Sequence, residues 1–203
     1  MKKLFLWSRT RSRTKPLLDK VVNIKGERIV IREKRPEDIP DEYAWRIDEE
    51  LSRLDATRPL NMSYEDFYRY SKEDISFPSA ISKRLAVDTD DGRHIGNIMY
   101  YDLDRRKGEA ELGIMIGEKR YWSQGYGTEI VGVILAYLFK EIRLNRVYLH
   151  TLSWNFRAQR CFAKAGFREV KTVRRSGQDF ILMESLRESW EARYSQAREV
   201  VEE

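Results

Sequence analysis

The sequence has little of what staples small extracellular or metal-built domains. Its one cysteine, Cys161, excludes an internal disulfide and fits a reducing compartment, so a cytoplasmic protein is expected. Two histidines, His94 and His150, make no ligand cluster of metal-site spacing with that cysteine, so no metal is expected. No apolar run approaches the ~20 residues of a membrane-spanning helix. Leu4, Phe5, Leu6 and Trp7 form a stretch shorter than the ~7–15 apolar residues of a secretory signal core. There is no internal repeat and no low-complexity segment. Net charge is also scarce over most of the chain. The formal total is +5, but residues 1–20 carry Lys2, Lys3, Arg9, Arg11, Arg13, Lys15 and Lys20 against Asp19. Seven minus one gives +6 there and leaves −1 for the rest. Such a basic arm can contact RNA, DNA or anionic lipid by releasing counterions, and its plainer reading is a solvated tail.

What is present reads as one globular domain. The chain has 203 residues, 41% apolar and 35% charged, which suits a soluble packed core and not a disordered chain. The globular part is expected from about Gly26. Residues 27–33 alternate like a half-buried strand, Pro36 opens a helical region at 39–54, and Pro59 breaks it. Ser63 can cap a further helix, with Asp66 at the capping-box position. Strands are expected at 85–87 and 95–101, joined at Asp90, Asp91 and Gly92, and again at 109–117 after a turn at 105–108. A helix at 126–141 keeps Ile130, Ile134, Tyr137 and Leu138 on one face. A strand follows at 146–152, then a helix from the cap Asn155 to Gly166. A hairpin around residues 176–179 and a polar terminal helix at 184–203 complete the pattern. The two strand–helix units at 109–141 and 146–166 would lie parallel, with antiparallel hairpins on either side. The fold class is therefore α/β (α+β in some schemes), a mixed, mostly antiparallel sheet with helices on both faces.

The most informative stretch runs from Tyr121 to Glu129. Gly125 and Gly127 sit where a strand turns into a helix, and their backbone N–H groups are unscreened by Cβ atoms. A helix N-terminus adds partial positive charge at the same place, so the loop is suited to a pyrophosphate. A dinucleotide fold is the rival reading, but Ile130 stands where its third glycine would be. A second signal lies downstream, from Asn155 through Ala158 and Cys161 to Gly166 and Phe167.

Strand, Trp-x-x-Gly-x-Gly-Thr-Glu from Trp122, helix, strand, Asn155 with Ala158, helix, Gly166-Phe167: this order resembles the GNAT superfamily of acetyl-CoA-dependent N-acetyltransferases. It looks most like the RimJ/RimL branch, which residues 31–38 and 186–190 also resemble. The resemblance covers about residues 25–190, and implies a basic arm at 1–24 and a polar helical extension at 191–203. It implies acetyl-CoA as co-substrate, with the pyrophosphate against the N–H groups of Gln124, Gly125, Tyr126, Gly127 and Thr128. The pantetheine arm would add like a short strand to the backbone of Ile114, Met115 and Ile116, and Asn155 would bond it. Asn155 is at the same time a plain helix cap. The superfamily's usual Gln or Arg is Trp122 here, and a frequent tyrosine seven residues after the asparagine is Phe162, which cannot protonate a leaving thiolate.

Glu111 is the candidate base, because it shares an alternating strand face with Glu109, Gly113 and Met115. An exposed solubilising glutamate is the bland reading. Tyr148 and His150 on the next strand are weaker candidates, expected to pack or close a network. The Met115 or Ile116 N–H would stabilise an oxyanion. Cys161 is expected to be a buried structural thiol. The acceptor site is expected in residues 36–77, where Asp48, Glu49, Glu50 and Asp55 precede Tyr64, Phe67, Tyr68 and Tyr70; amphipathic helices alone would give the same pattern. The expected reaction moves acetyl to a primary amine, with a protein α-amine favoured and a polyamine or antibiotic as the rival acceptor. A non-catalytic CoA-binding regulatory module is the alternative of a different class. Weak RNA or ribosome contact through the arm is a further expectation, and an exposed sheet edge would allow a homodimer.

Overall fold

The computed structural model describes residues 21–77 and 79–199. Most of the expected basic arm, and the end of the expected terminal helix, lie outside the described residues. Eight strands form one sheet: β1 (Asn23–Lys25), β2 (Ile29–Glu33), β3 (Lys83–Thr89), β4 (His94–Asp104), β5 (Glu109–Ile116), β6 (Arg146–Leu152), β7 (Arg168–Arg175) and β8 (Gln178–Leu186). Their order is β1-β2-β3-β4-β5-β6-β8-β7. Every neighbouring pair is antiparallel except β5 and β6. This is the mixed, mostly antiparallel sheet that the sequence predicts. The strand Asn23–Lys25 moves the start of the sheet into the segment read as the arm. The terminal helix also starts later than expected: Glu184 belongs to β8, pairs with Tyr148 on β6, and bonds the Arg146 and Arg168 side chains.

Side-chain alternation sorts the two faces. Ile29, Ile31, Leu85, Val87, Ala110, Leu112, Val147 and Leu149 are buried in one core with helix α4 (Tyr126–Lys140). From α4 that core takes Ile130, Val131, Ile134, Leu135 and Leu138. Arg32 follows Ile31 and therefore points to the opposite face, towards the start of α1 (Ile39–Ile47), which α2 (Glu49–Leu54) and α3 (Tyr64–Ser76) contact. Its guanidinium forks onto both oxygens of Asp38 at 2.8 Å, just before α1, and reaches Asp88 on β3 at 2.5 and 2.8 Å. Burial pushes the Asp38 carboxyl up, but Arg32 and the Arg35 N–H outweigh it and hold the carboxyl below its ordinary value. The helical region at 39–54, expected as one helix or a pair, is a pair, divided at Asp48, which accepts from the Leu51 N–H at 2.8 Å. Ser63 accepts from the Asp66 N–H at 3.1 Å, so α3 begins where its cap predicts.

Helix α5 (Phe156–Ala165) also begins and ends on its predicted signals. The Asn155 side chain accepts from the Ala158 N–H at 3.2 Å, and Gly166 closes the helix at φ 107°. Helix α6 (Arg187–Glu199) lays Trp190 against Phe139 of α4, ring centroids 5.7 Å apart.

Candidate active site

The one parallel pair in the sheet is short. β5 and β6 match at Glu109–Arg146, Ala110–Val147 and Glu111–Tyr148, and then part. β6 stays paired on its other side with β8 as far as Leu152, so the opening is a fork between two otherwise supported strands. Backbone groups alternate along β5. The Arg146 N–H donates to Gly108 O, and the Gly117 N–H donates to Ile95 O. Even-numbered residues therefore address β6, and odd-numbered ones address β4. Ile114 and Ile116 turn their backbone groups into the fork. Met115 turns its own towards its partner Asn97 on β4, so of the two expected oxyanion donors, Met115 and Ile116, only Ile116 faces the fork. The Ile116 carbonyl accepts from the Trp122 indole N–H at 2.7 Å.

The glycine loop stands at the mouth of this fork. Gly125 caps α4 in the left-handed region at φ 90°, which an L side chain adopts only with strain. No side chain caps α4. Its first intrahelical bond is from the Glu129 N–H to Gly125 O, so the N–H groups of Tyr126, Gly127 and Thr128 have no acceptor within the helix. A cavity of about 380 Å³ opens beside them. Of the expected cofactor residues, Ile114, Met115, Ile116, Gly125, Gly127, Thr128 and Asn155 line this one cavity. Gln124 and Tyr126 do not. The Gln124 amide turns back to Arg120 O, and the Tyr126 ring packs edge-on against Tyr121.

Sequence reasoning missed the cations that serve this site. Arg157, Arg160 and Lys164 of α5 line the same cavity, which gives an anion-binding helix terminus a converging positive wall. Arg157 also stacks on Trp122, 3.7 Å from the ring centroid, and burial lowers its pKa from the ordinary value. Arg28 clamps the loop from β2's side. It bonds Glu129 at 3.0 Å and Gln124 O at 3.1 Å, and lies 4.5 Å from the Tyr126 ring centroid. The i, i+3, i+7 spacing of the three α5 cations was the available signal. Arg28 lies about a hundred residues away in sequence and gave none.

Glu111 occupies the last matched register before the fork and is 7% exposed. His150, expected only to pack or close a network, meets it directly, Nδ1 to Oε1 at 2.7 Å. Tyr101 is Glu111's partner on β4, and Tyr148 its partner on β6. Burial, then the nearby carboxylate, pushes the Tyr101 phenol well above the ordinary tyrosine value and raises that of Tyr148 as well. β4 breaks register between Tyr101 and Asp104, which bends the strand beside this cluster.

Cys161 lines the cavity with its Sγ 3.7 Å from Thr128 Oγ1, and burial pushes its thiol up, as suits a structural cysteine. Phe162 is buried against Phe167. The expected acceptor cluster does not assemble. Asp48 and Glu50 pair with Lys119, and Asp55 pairs with Arg46. Tyr64 and Phe67 pack around Tyr43, Tyr68 packs on Tyr64, and Tyr70 is exposed. The acids lie within ion-pair reach of bases, and the aromatics pack on each other. From that region only Leu51, Leu54 and Asp55 reach the cavity.

A forked parallel strand pair, an uncapped helix N-terminus and a basic wall suit a phosphate-bearing ligand with a peptide-like tail, which is the chemistry of a CoA thioester. Fold and site thus define a CoA-dependent acyltransferase. The chain belongs to the acetyltransferase (GNAT) domain family, whose model matches residues 28–168, and is an acetyl-CoA-dependent N-acetyltransferase. It is 24% identical over 160 residues to the N-acetyltransferase 9-like protein of Caenorhabditis briggsae, covering 75% of this chain and 81% of that protein. A GNAT-family acetyltransferase structure from Bacillus anthracis superposes with a TM-score of 0.70 at 20% identity, over 82% of this chain and 99% of that one. The Vibrio cholerae spermidine N-acetyltransferase, solved with CoA and spermine, gives 0.71 at 18% identity, over 80% of this chain and 98% of that one. At these identities the two structures speak for the fold.

Proposed function

We propose that this enzyme acetylates a protein N-terminal α-amine, in the manner of the RimJ/RimL branch, and that Glu111 takes the amine's proton. The position of Glu111 carries this reading: it is the buried carboxylate where β5 and β6 part. Acetyl-CoA supplies the activated acyl carbon. The N–H groups of Tyr126, Gly127 and Thr128, with Arg160 and Lys164, would hold its phosphates. The Ile114 and Ile116 backbone and Asn155 would hold its amide arm.

An amine attacks only when neutral. At pH 7 a lysine side chain (pKa ~10.4) is almost wholly protonated, whereas an α-amine (~7.7–8.0) is partly free. Glu111 removes the remaining proton directly or through one water. Tyr101 and Tyr148 keep their protons at neutral pH, because burial and Glu111 raise both, so they can donate hydrogen bonds but do not compete as bases. A thiolate whose conjugate acid lies near ~8.5 leaves without a strong general acid, which fits Phe162 in place of a tyrosine.

A polyamine or another small amine is the second reading, favoured by the likeness to the structure that holds spermine. Thiol release from acetyl-CoA, measured against peptides, spermidine and aminoglycosides, separates the two. The reading predicts turnover on peptides with free N-termini and none on the same peptides blocked. Turnover on small amines alone would transfer the assignment to the second reading. Tight CoA binding with no turnover on any amine would make the protein a regulatory module. Glu111→Gln is expected to lower kcat by about 10²–10⁴-fold, the usual share of a general base, with CoA affinity kept.

A further inference from the structure

We propose that His150 is a positioning residue that aims the Glu111 carboxylate, so that the base is a Glu111–His150 pair; this rests on the reading of Glu111 above. The backbone ladder between β5 and β6 ends at Glu111–Tyr148. His150 lies two residues beyond that end, on the same face of β6 as Tyr148. Its Nδ1 meets Glu111 Oε1 at 2.7 Å, so this bond spans the fork where backbone bonds no longer do. An ionised carboxylate only accepts, so the donor is the Nδ1–H tautomer.

Each partner has its own support in the sheet. His150 is matched to Leu182 on β8, within a pairing that runs without a break from Arg146–Leu186 to Leu152–Phe180. Glu111 is matched to Tyr101 on β4, the last pair before that strand breaks register. Each side chain is thus held from outside the fork, Glu111 through β4 and His150 through β8. Both side chains are nearly out of solvent, 8% and 9% exposed, so water cannot substitute freely for the bond. His150 holds Oε1, and the Tyr101 phenol reaches the same carboxylate from β4. A carboxylate left to rotate about its own side chain would lose that aim, and a misplacement of about 1 Å can cost about 10²-fold in rate. The Tyr148 ring stands edge-on to the imidazole, centroids 6.1 Å apart, and limits its swing.

The test compares two substitutions with the Glu111 variant. His150→Leu keeps the bulk and removes the donor. His150→Asn puts an amide N–H the same number of bonds from Cα as Nδ1. The expected result is that His150→Leu lowers kcat by about 10–100-fold, on the scale of that misplacement, with KM for acetyl-CoA within twofold. His150→Asn should recover most of the rate. The double variant Glu111→Gln/His150→Leu should be no slower than Glu111→Gln alone, because His150 acts through Glu111. Calorimetric binding of acetyl-CoA to each variant checks that the fold is intact. If Glu111→Gln is slow and His150→Leu is not, positioning is overturned and the base stands. If His150→Asn is as slow as His150→Leu while binding is kept, the imidazole does more than aim, and positioning is overturned. If Glu111→Gln itself turns over normally, base and aim fall together.

Discussion

At the scale of the residue, two glycines in one loop do different work. Gly125 is held by backbone conformation: at φ 90°, an alanine there is strained by about 1–2 kcal/mol. Its Cβ would also stand 3.2 Å from Arg28 Nη2. Gly127 has helical geometry, and its constraint is space. A Cβ there would lie 3.0 Å from Cys161 Sγ, between the two helices that border the cavity. Gly125→Ala is therefore expected to lower the melting temperature as well as acetyl-CoA affinity. For Gly127→Ala the better helix propensity, about 1 kcal/mol, offsets the contact, and the melting temperature should hardly move. Its acetyl-CoA affinity should still fall by about tenfold, or ~1.4 kcal/mol, since the added methyl stands beside the cradling amides. Thermal melts and calorimetric titrations of the two variants check the contrast.

At the scale of the element, α4 and β5 act as one unit whose shared corner is the loop. The strand's C-terminal end, which leads into the loop, is covered by Trp45 of α1, where a Cβ at Gly117 would fall 2.0 Å from the indole. The helix's near end is clamped by Arg28, which ties β2 to Glu129 and to Gln124 O. The Arg28 side chain is 41% exposed, so its ion pair is worth about 0–1 kcal/mol to global stability. Arg28→Leu is accordingly expected to change the melting temperature little and to weaken acetyl-CoA about 3–10-fold, the scale of one ordinary hydrogen bond at about 0.5–1.5 kcal/mol. Kd and melting temperature measured on the same preparation decide it. Most elements were legible because local chemistry wrote them: the Asn155 and Ser63 caps, Gly166, and Gly92 at its turn all sit where the structure has those ends. Strand β1 was not legible, since its three residues have no periodicity of their own and are defined by pairing with β2. Glu184 was misplaced for the same reason. Its polar neighbourhood reads as helix, while pairing with β6 and two arginine bonds make it strand.

At the scale of the molecule, one parallel pair in an otherwise antiparallel sheet creates the site. Antiparallel neighbours support β5 and β6 on their outer sides, so the two strands can part after Glu111 without unravelling. Gly125, Gly127, Thr128, the Ile114–Ile116 edge and Asn155, which line one cavity, were picked out by a motif whose spacing lies within continuous segments. The Arg28 clamp and the Glu111–His150 contact join residues far apart in sequence, and only the folded sheet brings them together. The acids and aromatics of residues 36–77 do not form one cluster, because the acids pair with Lys119 and Arg46 while the aromatics pack on each other. The central claim is that the fork between β5 and β6, with the amides around Gly127 at its mouth, holds a CoA thioester. Isothermal titration of the purified chain with acetyl-CoA tests it most directly. The account predicts saturable binding of one ligand per chain, with inorganic pyrophosphate a weak competitor; no heat and no saturation at millimolar acetyl-CoA would contradict it.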